Sequence, residues 1–177
     1  MEAVRGVSLE VREGDFMTMA GPSGSGKTTL LNMLGGLTRP TSGRIWVRDL
    51  EITTLSNKEL ARLRLESIGF VFQAFNLLPV LSALENAEFS LLLRGVPAEE
   101  RHRRVRALFD EIGLGGLEDR KPGKLSGGQQ QRVAVARAMA GKPLILLADE
   151  PSGNLDSKNG NAVMELMKEL HDEGATI

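Results

Sequence analysis

The chain contains no cysteine and no tyrosine, and only one tryptophan and two histidines in 177 residues. Without cysteine there are no disulfides and no thiolate-bound metal, a usage that fits the cytosol. No apolar run reaches membrane-spanning length, so any link to a membrane must pass through a partner. Neither charge dominates: 22 Lys and Arg stand against 23 Asp and Glu, a net charge of −1. That balance offers no general attraction for nucleic acid or anionic lipid. The opening Met1-Glu2-Ala3-Val4-Arg5-Gly6 lacks the basic region and apolar core of a secretory signal. What is present, 41% hydrophobic and 25% charged residues, is the composition of a globular protein. The length suffices for one domain with a small subdomain, burying about 70% of the unfolded surface.

The most informative stretch is GPSGSGKTT at residues 21–29, which directly follows the mostly apolar Phe16-Met17-Thr18-Met19-Ala20. An apolar run, a glycine-rich turn and then an apolar-periodic segment are the strand, loop and helix of a P-loop. Polyphosphate needs several backbone N–H groups pointing into one concavity, and Gly24 and Gly26 adopt the required conformations without steric cost. A helix starting near Lys27 adds its positive dipole end. Lys27 can reach the β and γ phosphates, and the Thr28 hydroxyl is placed to ligate Mg²⁺. An incidental glycine turn of this pattern arises in fewer than ~1% of chains this long.

Around this motif the chain alternates strand and helix. Val7, Leu9 and Val11 alternate with polar residues and predict a half-buried strand, turned by Glu13-Gly14-Asp15 into the one that feeds the P-loop. Arg44-Ile45-Trp46-Val47 and Ile68-Gly69-Phe70-Val71-Phe72 predict further strands, the second buried on both faces. Capping boxes open helices at Ser56 and Ser82, and Pro97 opens another, with Val105, Leu108, Phe109 and Ile112 on its inner face. Its other face, Arg101, His102, Arg103, Arg104 and Arg106, reads as solvated. Ser126 is an N-cap before Gly127, Gly128 and Gln129, which makes a second helix start with free N–H groups; alone, an ordinary capped helix explains it. Leu144 to Ala148 is an apolar strand delivering Asp149 and Glu150 at its carboxyl end, where open α/β sheets bind ligands. Beside a P-loop these two acids read as the Mg²⁺-holding carboxylate and its catalytic neighbour. A helix from Ser157 follows, and Ala175-Thr176-Ile177 begins a further parallel strand.

Together GPSGSGKTT, Gln73 after a buried strand, LSGGQ at residues 125–129, LILLADEP at 144–151 and SGNLD at 152–156 resemble the ATP-binding-cassette ATPases over nearly the whole chain. The run GFVFQAFNLLPVLSALENAEFSLLL and the LSGGQQQRVAVARAMA helix are similar to the lipoprotein-releasing, macrolide-export and cell-division branch. The resemblance implies an α/β P-loop NTPase: a RecA-like core with a small antiparallel β part, residues 1–73 and 141–177, and an α-helical subdomain, residues 74–140, bearing LSGGQ. It implies a transporter ATPase using ATP and Mg²⁺. Gly21, Pro22, Ser23, Gly24, Ser25, Gly26, Lys27, Thr28 and Thr29 would hold the nucleotide. Thr28, Gln73 and Asp149 would serve the metal, and Glu150 would act as general base with Gln73 and Lys27 in catalysis. Ser126, Gly127, Gly128 and Gln129 would complete the ATP site of a second copy, head to tail. The implied location is the cytoplasmic face of the membrane, on permease subunits.

Residues 73–81 would receive that permease; packing within the subdomain accounts equally well for the apolar Phe75, Leu77, Leu78 and Val80. The family's adenine-stacking aromatic and its histidine after the Ala175 strand are missing. Phe16 and Trp46 fall at the wrong places, and His102 and His171 read as surface residues on helices. The resemblance therefore implies a core truncated at both ends. Two other roles remain in view: a nucleotide-gated signalling module on a membrane partner, and a chromosome-maintenance ATPase, which the lack of sustained heptads between Gln73 and Ser126 argues against.

Overall fold

The structure, a computed structural model, describes residues 3–177. Its elements run α1 (Lys27–Leu34), β1 (Trp46–Val47), β2 (Leu50–Glu51), α2 (Asn57–Ser67), β3 (Ile68–Phe72), α3 (Ala83–Leu93), α4 (Ala98–Glu111), α5 (Gly127–Met139), β4 (Ile145–Asp149) and α6 (Ser157–Asp172). The two apolar runs at the centre pair in parallel, with Ile68 opposite Ile145 and Phe72 opposite Asp149. Because both strands end together, the residues that follow them, Gln73 and Glu150, emerge side by side at the carboxyl edge. β1 and β2 form a small antiparallel pair.

The helix starts follow the sequence closely. Ser56, Ser82 and Ser126 each accept a hydrogen bond from the N–H three residues on, while Glu59, Glu85 and Gln129 reach back to the cap N–H. Each box thus satisfies two donors that a helix start leaves open. Pro97 precedes α4, whose Val105 and Phe109 are fully buried. One hydrophobic cluster is continuous from Val71 and Leu146 on the sheet, through Val133 and Val135 of α5, to Leu91 and Phe109 of the outer helices. A second joins Ile52, Leu60, Leu63, Ile68 and Leu147 on the other side of β3.

Several expectations are corrected. Residues 7–11 form no strand: Val7 is 52% and Leu9 40% exposed, and no described segment pairs with them. Alternation marks a face for burial, but a strand also needs a ladder neighbour. The run feeding the glycine loop is assigned no strand, yet it is bonded to the end of the chain. Met17 N–H donates to Ile177 O at 2.8 Å and Ile177 N–H to Asp15 O at 2.9 Å. Leu146 N–H donates to Thr176 O, so residues 175–177 lie between β4 and this run, as a further parallel strand would. Of residues 44–47 only Trp46 and Val47 are in a strand. On α4, Arg101 leaves the solvated face: it turns inward to Glu88 of α3, at 3.5 Å, with side chains 12% and 7% exposed. His171 is half-buried, its ring edge-on to Phe16 at 5.4 Å. Of the apolar residues after Gln73, Leu77 packs on the core whereas Val80 is 73% exposed.

Candidate functional site

The glycine loop takes the shape its composition anticipates. Gly24 has φ 78° and Gly26 φ 93°, left-handed values that a side chain would strain. Gly26 is the N-cap of α1 and makes no side-chain cap bond, so the first N–H groups of α1 are left for a ligand. Lys27 Nζ donates to the carbonyls of Gly21 at 2.9 Å and Pro22 at 3.0 Å. The ammonium is thereby held over the loop, with Ser23 and Ser25 exposed beside it. Thr29 lies on α1 facing away from full exposure.

From the other side of the site comes β4. Thr28 Oγ1 donates to Asp149 Oδ1 at 3.0 Å, joining two residues 121 positions apart. Hydroxyl plus carboxylate is a hard-oxygen pair, and among the described residues no cluster of three His, Cys, Asp or Glu could hold a metal by itself. Mg²⁺ keeps waters and is held by one or two protein oxygens plus substrate phosphates, so this donor set fits it. Glu150 follows with φ 46°, an uncommon value for a non-glycine residue. Gly153 N–H donates to Glu150 O at 2.9 Å, which fixes that turn. The Glu150 side chain is exposed and points into no ion pair among the described residues. A cavity of about 230 Å³ opens at this edge, with Lys27, Asp149 and Glu150 at its polar end and Met17, Met19 and Leu147 among its apolar walls.

Gln73 is brought to the same edge by the strand register. Asn154 Nδ2 donates to its carbonyl at 2.9 Å, and a Cβ on Gly153 would come within 2.8 Å of its Nε2. The start of α5 lies against the next loop. A Cβ on Gly128 would come within 2.5 Å of Asn159 Oδ1, and one on Gly127 within 3.3 Å of Leu155. Gly128 is therefore a close-approach glycine that admits α6. Asn159 also donates to Asp156 Oδ2 at 2.6 Å, and the N–H groups of Lys158 and Asn159 donate to Asp156 Oδ1, capping α6. The Asn159 side chain first, and then its N–H, hold the Asp156 carboxyl below the usual carboxylate range.

Lys27, Thr28, Asp149, Glu150 and Gln73 thus share one edge. No hydrogen bond joins Ser126, Gly127, Gly128 or Gln129 to the glycine loop of the same chain among the described residues. Three residues that bind this region together were not singled out from sequence: Gln131, Arg137 and Asn154. All three work by donating to backbone carbonyls, a role without a spacing signature. The only cue was a polar Gln131 four residues before the apolar Val135.

Comparison with known proteins identifies the family of the sequence and its fold. A family model described as ABC transporter matches residues 4–153. An ABC transporter ATP-binding protein of Thermotoga maritima is 52% identical over 177 residues, all of this chain and 76% of that protein. The macrolide export ATP-binding/permease protein MacB of Brucella melitensis is 47% identical over all of this chain, which spans only 27% of that protein. Among solved structures, the dimeric ABC transporter cassette MJ0796, from Methanocaldococcus jannaschii, superposes with a TM-score of 0.89 at 46% identity, over 98% of this chain and 77% of that one. The same cassette has also been solved as a dimer in a post-hydrolysis state bound to ADP and Pi. With the matched span taking in both central strands and every helix from α1 to α5, the chain belongs to the ABC transporter family.

Proposed function

We propose that this chain is the ATP-hydrolysing motor of a membrane transporter, and that two copies close head to tail around two ATP molecules to drive export or extraction of a substrate. The observation that carries the reading is the 3.0 Å bond between Thr28 and Asp149, which places the glycine loop, Lys27 and the β4 acids around one point. In it, residues 21–29 bind the phosphates, and Lys27 exchanges its contacts to the Gly21 and Pro22 carbonyls for phosphate oxygens. Thr28, Asp149 and Gln73 would hold Mg²⁺, which would supply charge neutralisation for the phosphates. Glu150 accepts the proton of the attacking water, and Gln73 orients that water. The reading includes a nucleotide core of residues 1–73 and 141–177 and a helical subdomain of residues 74–140.

The second copy enters because Ser126 to Gln129 present a capped helix start that this chain's own loop does not use. Directed at a γ-phosphate across the interface, charge-assisted bonds of about 1.5–3 kcal/mol each bias closure while ATP is intact. Hydrolysis removes that bridge. The dimeric state of MJ0796 supports the pairing, and the name of MacB supports an export partner. A groove of about 340 Å³ beside residues 73–81, lined by Arg64, Phe70, Asn76, Ser90 and Arg94, is the proposed seat of the permease, which would keep the chain at the cytoplasmic face of the membrane.

The test is Glu150→Gln in the full chain. The expected result is retained ATP binding, turnover reduced by about 10²-fold or more, and a dimer that persists with ATP but not ADP. A monomer with unaltered turnover would remove Glu150 from the mechanism.

A further inference from the structure

α5 touches the strand end that carries Gln73 through two polar side chains with no part in binding phosphate or metal. Gln131 is fully buried, and its Nε2 donates to Pro151 O at 2.7 Å and to Phe72 O at 3.4 Å. One amide therefore spans the ends of β4 and β3, immediately beside Glu150 and Gln73. Its Oε1 is buried without a partner among the described residues, so the two donated bonds orient it. Further along the helix, Arg137 Nη2 donates to Phe75 O at 2.9 Å and Nη1 donates to Asn76 O.

The turn receiving that guanidinium is unusual. Phe75 and Asn76 both have φ 51°, and two successive non-glycine residues hold left-handed values only where the surroundings impose them. In that conformation both carbonyls face one side, and the planar fork of arginine meets them with two donors where a lysine ammonium has no matching geometry. Burial pushes the Arg137 pKa below the ordinary arginine value, and no described carboxylate pairs with it. A cation placed there is satisfied by the turn it holds.

We infer that Arg137 is a positioning residue for Gln73: it fastens the turn after Gln73 to α5 and so holds Gln73 in its place at the strand edge beside Asp149 and Glu150. The inference rests on the reading of Gln73 given above.

The experiment compares Arg137→Gln, Arg137→Lys, Gln73→Ala and the Arg137→Gln/Gln73→Ala double variant in the full chain. It measures ATP affinity, kcat, and amide exchange at residues 74–76. The expected result for Arg137→Gln is ATP affinity within about twofold of wild type, kcat lowered about tenfold or more, and exchange at residues 74–76 accelerated about tenfold with α6 unchanged. Added to Gln73→Ala, it should lower kcat by less than about twofold, because both changes then act through one group. Losses that multiply in the double variant, or exchange that does not change, overturn the proposal. If Arg137→Gln does not fold, Arg137→Lys keeps the stem and charge and is held to the same outcomes. Wild-type turnover in Gln73→Ala overturns the assignment of Gln73 and this inference with it, a result distinct from unchanged exchange, which overturns the clamp alone.

Discussion

At the scale of single residues, the site is assembled from groups that hold one another before any ligand arrives. Lys27 rests on two carbonyls of its own loop, and Thr28 on Asp149. In the proposed reading a phosphate ligand would replace bonds already aimed at its position, so little side-chain entropy would be lost on binding. Asp156 extends this order to the loop behind the site. Its carboxyl accepts from Asn159 Nδ2 and from two N–H groups at the start of α6, and these bonds lower its pKa. A carboxylate with a depressed folded pKa contributes stability above its unfolded value, and loses it as pH falls through the folded one. Asp156→Asn keeps a good cap but cannot titrate. Melting temperatures followed from pH 7 down past the ordinary carboxylate range should therefore fall less steeply in Asp156→Asn than in the wild type. Parallel curves would mean that Asp156 contributes nothing to the acid limb.

At the scale of elements, what could be read from sequence depended on whether an element is defined by its own residues or by a neighbour. The capping boxes at Ser56 and Ser82, the N-cap at Ser126 and β3 over residues 68–72 were legible because a cap and an apolar run carry their physics locally; that Gln129 completes a third box emerged only in the structure. The Val7, Leu9 and Val11 alternation misled because a strand is a property of two segments, and no described segment pairs with this one. In the site, Lys27, Thr28, Asp149 and Glu150 were legible from spacing, whereas Gln131, Arg137 and Asn154 were not, since a donor to a backbone carbonyl is defined by a remote turn. Arg101 shows the same limit. Its place in a basic run suggested solvent, but α3 presents the buried Glu88 opposite, with His102 Nε2 a further 3.3 Å partner. Glu88→Ala leaves the largely buried Arg101 with the Val96 carbonyl but no carboxylate, and should destabilise the chain by about 3 kcal/mol. A urea midpoint lowered at constant m-value would register it. Glu88→Leu combined with Arg101→Met removes both charges and should recover most of that loss. If the double variant is no more stable than the single, the cost lies in packing and not in the orphaned guanidinium.

At the scale of the whole molecule, no hydrogen bond joins the two candidate anion sites within one chain among the described residues, and the proposed head-to-tail pair would bring each loop to the other copy's α5. The absence of cysteine makes this arrangement directly testable, because any introduced thiol is the only one present. Ser23 and Ser126 are both exposed, one beside Lys27 and one capping α5. Chains carrying Ser23→Cys and chains carrying Ser126→Cys, each with Glu150→Gln, can be mixed and treated with a short bis-thiol cross-linker. With ATP present, the mixture should give a covalent dimer that neither chain gives alone, since head-to-tail closure sets unlike positions opposite each other. Without nucleotide the dimer should fade. A twofold pairing that instead set like elements face to face would link Ser126→Cys chains to themselves, and that product would exclude the shared nucleotide site. The expected mixed product would support the proposed shared site, in which the γ-phosphate bridges the two copies and its loss on hydrolysis would release them.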